Sequence, residues 1–320
     1  MRAALAAVIL SLAAPVAAGD FVLDLPIGCD LGETCHIQHF VDRDPGKGAM
    51  DFRCGHMTYD GHKGTDFALA TLADMRRGVD ILTAAPGVVT AQRDGMPDMA
   101  FDDGNAAQVE GRECGNGVVI EHEGGWETQY CHMKSGSIAV SEGDRLSAGA
   151  VLGQVGLSGK TTFPHLHLSV RREAAVIDPF DVDPAGNCGY NPLSIWRETP
   201  PYRAGGLIGA GFADGVPTYD AIRDGSVPET DLTRDSAVLV LFGFAYGGRE
   251  GDEMRLILTG PEGEILSHAE RLDRAQAQFF RAAGKRRPAA GWPAGPYEGL
   301  VILLRDDVEL DRKPIRIRVD

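Results

Sequence analysis

The sequence predicts an all-β protein ending in a small β-sandwich. From Gly61 to about Pro179, short apolar runs alternate with glycine turns, as in Gly87-Val88-Val89 and Gly117-Val118-Val119-Ile120. Runs this short favour strands over helices. The 41 glycines in 320 residues suit a chain with many tight turns. Beyond residue 230, strand-like segments recur at close spacing, the pattern of a small sandwich.

Taken in order, Arg2 followed by the Ala/Leu-rich run Ala3–Val16 and the small residues Val16-Ala17-Ala18 has the pattern of a secretory signal peptide over residues 1–18. The mature chain is then expected in the periplasm or outside the cell. No later stretch reaches 18 apolar residues, so no membrane span is predicted. No Cys follows the small-residue site, so a lipid anchor there is not suggested. Residues 19–54 form a cysteine-rich, loop-rich leader with the cluster Asp42-Arg43-Asp44-Pro45-Gly46. In an oxidising compartment Cys29, Cys35, Cys54, Cys114, Cys131 and Cys188 are expected to pair.

Val118–His122 and Trp126–His132 flank Glu123-Gly124-Gly125 and read as a β-hairpin. Its register brings Cys114 and Cys131 together as a disulfide; the other four cysteines allow three pairings. Residues 199–230, rich in Gly, Pro and Asp, read as a linker after a 55–198 domain. In 231–320 the expected strands are Ala237–Phe244, Met254–Thr259, Glu264–His268, Gly299–Leu304 and Pro314–Val319. Arg271–Ala283, rich in Ala, Gln and Arg, is open to a helix instead.

The formal charge of −15 argues against a nucleic-acid partner, which needs clustered Lys/Arg; Lys285-Arg286-Arg287 reads as a solvated turn. There is no Ser-centred nucleophile elbow, no complete Gly-x-x-x-x-Gly-Lys-Ser/Thr phosphate-binding loop, no H-E-x-x-H and no C-x-x-C. Cys131 is read as half of a disulfide, against a nucleophilic thiol.

The histidines carry the chemistry. His62 and Asp66 form H-x-x-x-D, His165 and His167 form H-x-H, and His132 ends the hairpin. On a strand, His165 and His167 project from one face while Leu166 and Leu168 pack behind. Two adjacent imidazoles are poor core residues unless every ring nitrogen is satisfied. Two His and one carboxylate make a catalytic zinc set with a fourth position open for water. His122 and His268 read as structural and surface residues. His36, His39 and His56 in the leader read as surface or disulfide-loop residues, the alternative being that one of them occupies the open metal position.

Gly61-His62-Lys63-Gly64-Thr65-Asp66, the Thr128–His132 strand, Val155-Gly156-Leu157-Ser158-Gly159 and Pro164-His165-Leu166-His167 together resemble the lysostaphin-type (LytM-like) zinc endopeptidases, over roughly residues 55–180. The resemblance implies an antiparallel β core with a barrel-like (lipoyl/hybrid-motif-like) sheet, to which the Gly-rich run Val140–Gly156 is also similar. It implies one Zn2+ per chain, held by His62, Asp66 and His167, with His132 and His165 as the catalytic pair. It implies hydrolysis of peptide stems or cross-bridges of peptidoglycan. Thr71–Val79 and Gly95–Glu113 look longer than the family pattern, and Phe163 stands where Gly commonly precedes Pro-His-Leu-His. The alternative is a non-hydrolytic wall-binding regulator that recruits another hydrolase through the C-terminal module; cleavage of a non-wall peptide is a third reading. Trp292-Pro293-Ala294-Gly295-Pro296-Tyr297 resembles the aromatic-clamped turn of bacterial immunoglobulin-like sandwiches.

Overall fold

The structure is a computed structural model describing residues 21–183, 192–228 and 232–320. The expected signal peptide and Cys188 lie outside the described residues.

The first part of the chain runs β1 (Cys35–His39), β2 (Thr65–Leu69), α1 (Leu72–Arg77), β3 (Asp80–Leu82), β4 (Gly87–Arg93), α2 (Ala106–Val109), β5 (Asn116–Glu121), β6 (Trp126–Met133), β7 (Arg145–Leu146), β8 (Val151–Gln154), β9 (His165–Arg172) and β10 (Ala175–Ile177). Eight of these strands form one antiparallel sheet in the order β1-β2-β9-β6-β5-β4-β7, with β10 added against β9; β3 and β8 pair separately. The short helices α1 and α2 lie in the stretches Thr71–Val79 and Gly95–Glu113. Thr71 caps α1 by accepting from the Asp74 N–H.

The hairpin forms as expected, with Glu121 opposite Glu127 and Val118 opposite Tyr130 across the turn. Cys114 and Cys131 are bonded at its far end, and Cys29 is bonded to Cys35. Cys54 is disulfide-bonded as well. Leu166, Leu168 and Val170 of β9 pack into the core with Phe67, Ile120 and Tyr130. The alternate residues of β9 are thereby free to serve the opposite face.

The second part contains β11 (Gly206–Ala213), α3 (Tyr219–Asp224), β12 (Val238–Gly248), β13 (Glu253–Gly260), β14 (Gly263–Arg271), β15 (Gln276–Arg286), β16 (Gly295–Arg305) and β17 (Val308–Val319). Sheets β11-β12-β15 and β14-β13-β16-β17 enclose one core that includes Leu241, Leu256, Phe279 and Tyr297. The Tyr297 hydroxyl donates to the Pro293 carbonyl at 2.8 Å, which closes the aromatic turn.

Three expectations change here. The stretch read as a linker contains β11, paired along β12. Gly211 makes room for a ring: a Cβ there would lie 2.5 Å from Phe242. Arg271–Ala283 forms no helix: Arg271 ends β14, a turn follows, and Gln276–Ala283 lies in β15 opposite β12. Lys285 and Arg286 end that strand, and Arg287 pairs with Asp235 at 2.8 Å.

The two parts share apolar contacts. Val240, Phe242, Phe244 and Tyr246, alternate residues of β12, join the core of the first part. Leu239, Leu241 and Ala245 point the other way, into the sandwich. A strand buried on both faces accounts for the unbroken apolar run Val238–Phe242. Within the second part, Arg305 donates to both carboxylate oxygens of Asp252 at 2.9 and 2.7 Å. It also donates to the carbonyls of Ala204 and Gly247.

A buried carboxyl follows β10. The Asp178 Oδ1 accepts from the Phe180 N–H at 2.9 Å, while Oδ2 is buried without a hydrogen-bond partner. Burial pushes this group up to about 7, against the pull of Arg43 and with Asp181 and Asp51 adding to the rise. Because the folded value lies above the unfolded one, stability is full below about pH 4 and falls as pH rises towards 7. Asp178→Asn is expected to abolish that fall. Relative to the parent, the variant gains on the order of 4 kcal/mol between pH 4 and pH 8. Urea unfolding at the two pH values checks this, and a gap that stays constant with pH refutes it.

Candidate metal centre

Strands β1, β2, β9 and β6 lie side by side and bring the histidines together. Asp66 on β2 stands opposite His39 on one side and His167 on the other. Cys131 stands opposite His167 across the next pair. His62 approaches from the turn before β2, and its ring is fixed by an Nδ1–H bond to the Phe40 carbonyl at 2.7 Å. That leaves its Nε2 facing Asp66. Gly64 is needed within this turn because a Cβ there would lie 2.5 Å from the His167 ring.

Three ligand atoms converge. The His62 Nε2 lies 3.1 Å from Asp66 Oδ1 and 3.2 Å from His167 Nδ1, and the last two atoms are 2.8 Å apart. Tetrahedral zinc with ligands at 2.0–2.1 Å separates them by roughly 3.3 Å. The triangle therefore fits such an ion after shifts of a few tenths of an ångström. The far side of the His167 ring is held by Ser169 Oγ at 3.0 Å. His132, His165 and His167 form a second cluster whose ligand atoms also lie close together. The sets share His167, but only the first includes a carboxylate to balance a cation's charge.

His132 and His165 present their rings beside the triangle, with centroids 4.7 Å apart. The His132 Nδ1 is bound by the Ser158 carbonyl at 2.8 Å, and the His165 Nδ1 by the Phe163 carbonyl at 3.0 Å. Each leaves Nε2 turned to the site. His132 has a positive φ of 62°, in the left-handed region that costs energy for a side-chain-bearing residue. Its neighbours hold it there: Cys131 is bonded to Cys114, and the His132 N–H donates to the Cys114 carbonyl at 2.8 Å. The Ser158 carbonyl is set by the Gly159 turn (φ 84°), where a Cβ would strike the Glu113 carbonyl oxygen at 2.3 Å.

Electrostatics follow the packing. Burial opposes the charge on Asp66, but the imidazoles of His62 and His165 and hydrogen bonds from His165 and His167 hold its carboxyl well below the usual range. Burial likewise opposes a charge on His62, and the Asp66 carboxylate overcomes it, so His62 is raised. Burial lowers His132, reinforced by His165 and His167. It lowers His167 too, partly offset by Asp66.

The leader histidines depart from the surface role expected of them. His39 lies in the site, with Nδ1 3.0 Å from Asp66 Oδ2, the carboxylate oxygen that faces away from the triangle. His36 is buried against the Tyr246 ring at 4.2 Å, and burial lowers it to about 4. His56 bonds the Gly247 carbonyl at 3.0 Å. His122 is structural, held between the Pro86 carbonyl and Thr128 Oγ1, both at 2.8 Å. His268 is a partly exposed residue of β14. Phe163, the residue in place of Gly, stacks on His165 at 4.4 Å. Spacing could have found none of His39's role, which depends on the pairing of β1 with β2.

A groove of about 700 Å³ opens over His39, Asp66, His132 and His165. Its far wall is the start of β15 and the turn before it.

Residues 60–179 match peptidase family M23. The chain is 38% identical over 98 residues to the DD-carboxypeptidase/endopeptidase Mpg of Neisseria meningitidis serogroup B, a match covering 30% of this chain and 22% of that protein. It is 32% identical over 106 residues to the peptidoglycan DD-endopeptidase ShyA of Vibrio cholerae, covering 33% and 19%. The chain thus matches about a fifth of the length of these relatives. Among solved structures, a mutant catalytic domain of the prophage-encoded M23 protein EnpA from Enterococcus faecalis is 25% identical, with a TM-score of 0.30, covering 47% of this chain and 92% of that one.

Proposed function

We propose, from the M23 peptidase domain that residues 60–179 carry, that the protein is an exported zinc metalloendopeptidase hydrolysing peptide cross-links of peptidoglycan. The observation that carries this reading is the convergence of His62, Asp66 and His167 on one point, with His132 and His165 beside it. His62, Asp66 and His167 would hold one Zn2+. The bound metal would supply an acidified water and a polarised scissile carbonyl. The protein's own part is proton handling and positioning. His132 and His165 are each anchored through Nδ1 to a carbonyl, which leaves Nε2 to take up the water's proton or to donate to the developing oxyanion.

Export is proposed from the signal-like residues 1–18, and the bonded cysteines suit an oxidising compartment. Among the described residues, no helix is long and apolar enough to cross a membrane. A relative named as a peptidoglycan DD-endopeptidase, and another named as a DD-carboxypeptidase/endopeptidase, support the substrate class. The test is metal analysis of the purified chain together with mass analysis of products from purified cell-wall sacculi. One zinc per chain and cleaved cross-links are expected. Metal-replete protein that releases no peptide would turn the reading towards a wall-binding regulator.

His39 then acts as the outer partner that orients Asp66. Outer partners of this kind typically contribute 10–100-fold in metal affinity. His39→Ala is expected to weaken zinc binding by about that factor. Competition with a chelator measures it, and an unchanged zinc affinity would refute the role.

A further inference from the structure

We infer that the groove reads free carboxylate groups on its peptide substrate through Lys160, Arg223 and Arg274, two of which lie outside the M23 domain. This rests on the reading of the site as a peptidase and names a property of its substrate.

The first observation is a local inversion of charge. The chain carries an excess of 15 acidic groups, yet the groove is lined by three cations and one acid. That acid is Asp66, already engaged by the surrounding imidazoles. A concave site lined by one sign of charge concentrates ligands of the other sign.

The second observation is how the cations are placed. Lys160 follows the Gly159 turn on the metal side, its ammonium 5.7 Å from the Phe101 ring centre. Arg223, on α3, bonds the Thr162 carbonyl and lies over the Tyr219 ring at 5.5 Å, so its planar head is held at the rim. Arg274 is exposed on the opposite wall, in the turn between β14 and β15, and has no ion-pair partner among the described residues. That wall is braced against the metal side. The Gln38 amide donates to the Ala277 carbonyl at 3.0 Å, and the Gln278 amide donates to Gln38 Oε1 at 3.1 Å. A peptide lying in the groove would therefore pass between cations fixed to both parts of the chain. Guanidinium groups pair with carboxylates in a two-pronged geometry that an amide does not reproduce.

The test uses the full zinc-loaded chain and one cross-linked muropeptide in two forms, with its side carboxylates free or amidated. The free form is expected to be preferred by about tenfold or more in kcat/KM, the scale of one or two charge-assisted hydrogen bonds. In Lys160→Gln/Arg274→Gln the ratio is expected to collapse towards one, with the change in KM. Equal rates on both forms in the parent, or an unchanged ratio in the double variant, would overturn the inference. Binding of the labelled peptides to His132→Asn, followed by fluorescence anisotropy, decides it separately from hydrolysis. If no form is cleaved, the peptidase reading fails, while tighter binding of the free form still supports the groove's preference and equal binding refutes it.

Discussion

His167→Ala is expected to abolish the proposed peptidoglycan cleavage and to remove bound zinc in the same step, whereas His132→Asn is expected to lower cleavage by roughly 10²–10⁴ and to leave zinc in place. The split follows from geometry. The His167 Nδ1 closes the triangle of proposed ligands at 2.8 Å from Asp66 and 3.2 Å from His62, so its loss would leave two of them. His132 lies one ring away, anchored by the Ser158 carbonyl, and its removal would take out only the proposed proton handling. Asparagine is chosen at position 132 because it tolerates the left-handed backbone better than most residues. Metal content and product release from sacculi are read on the same samples. Full cleavage by His132→Asn, or retained zinc in His167→Ala, would contradict the assignment.

Arg305→Ala is expected to destabilise the protein by about 3–5 kcal/mol, the usual result of leaving one partner of a buried pair alone. Arg305 is only 9% exposed and Asp252 1%. The guanidinium also satisfies the carbonyls of Ala204 and Gly247, at the junction of the two parts. Asp252→Ala should cost a similar amount, and the double variant less than the sum, because neither charge is then stranded. Denaturant unfolding of the three variants checks the cycle; additive losses would show that the two groups act independently.

Much of the candidate metal centre's geometry was legible in the sequence because its residues stand at short spacing. H-x-H on a strand sets two imidazoles on one face, and the structure places both there. His62 and Asp66 lie on either side of a glycine that the His167 ring requires. The hairpin and the Cys114–Cys131 bond were readable for the same local reason. His39 was hidden because its place depends on which strand β1 joins, a pairing across 27 residues of chain between His39 and Asp66. Strand β11 was hidden because its glycines look like linker, while Gly211 in fact makes room for the ring of Phe242 on the neighbouring strand. The far wall of the groove comes from residues 274–278, more than a hundred positions from His165, and no motif announces such a contact.

Strand β12 carries a last consequence. With one row of side chains in each core, it leaves neither part able to present a water-compatible surface by itself. Heat should therefore melt the chain in one cooperative transition, without a half-folded plateau. Over longer times, a gene exchange that carried off residues 55–198 alone would deliver a domain with a greasy scar, so the two halves are expected to be inherited together.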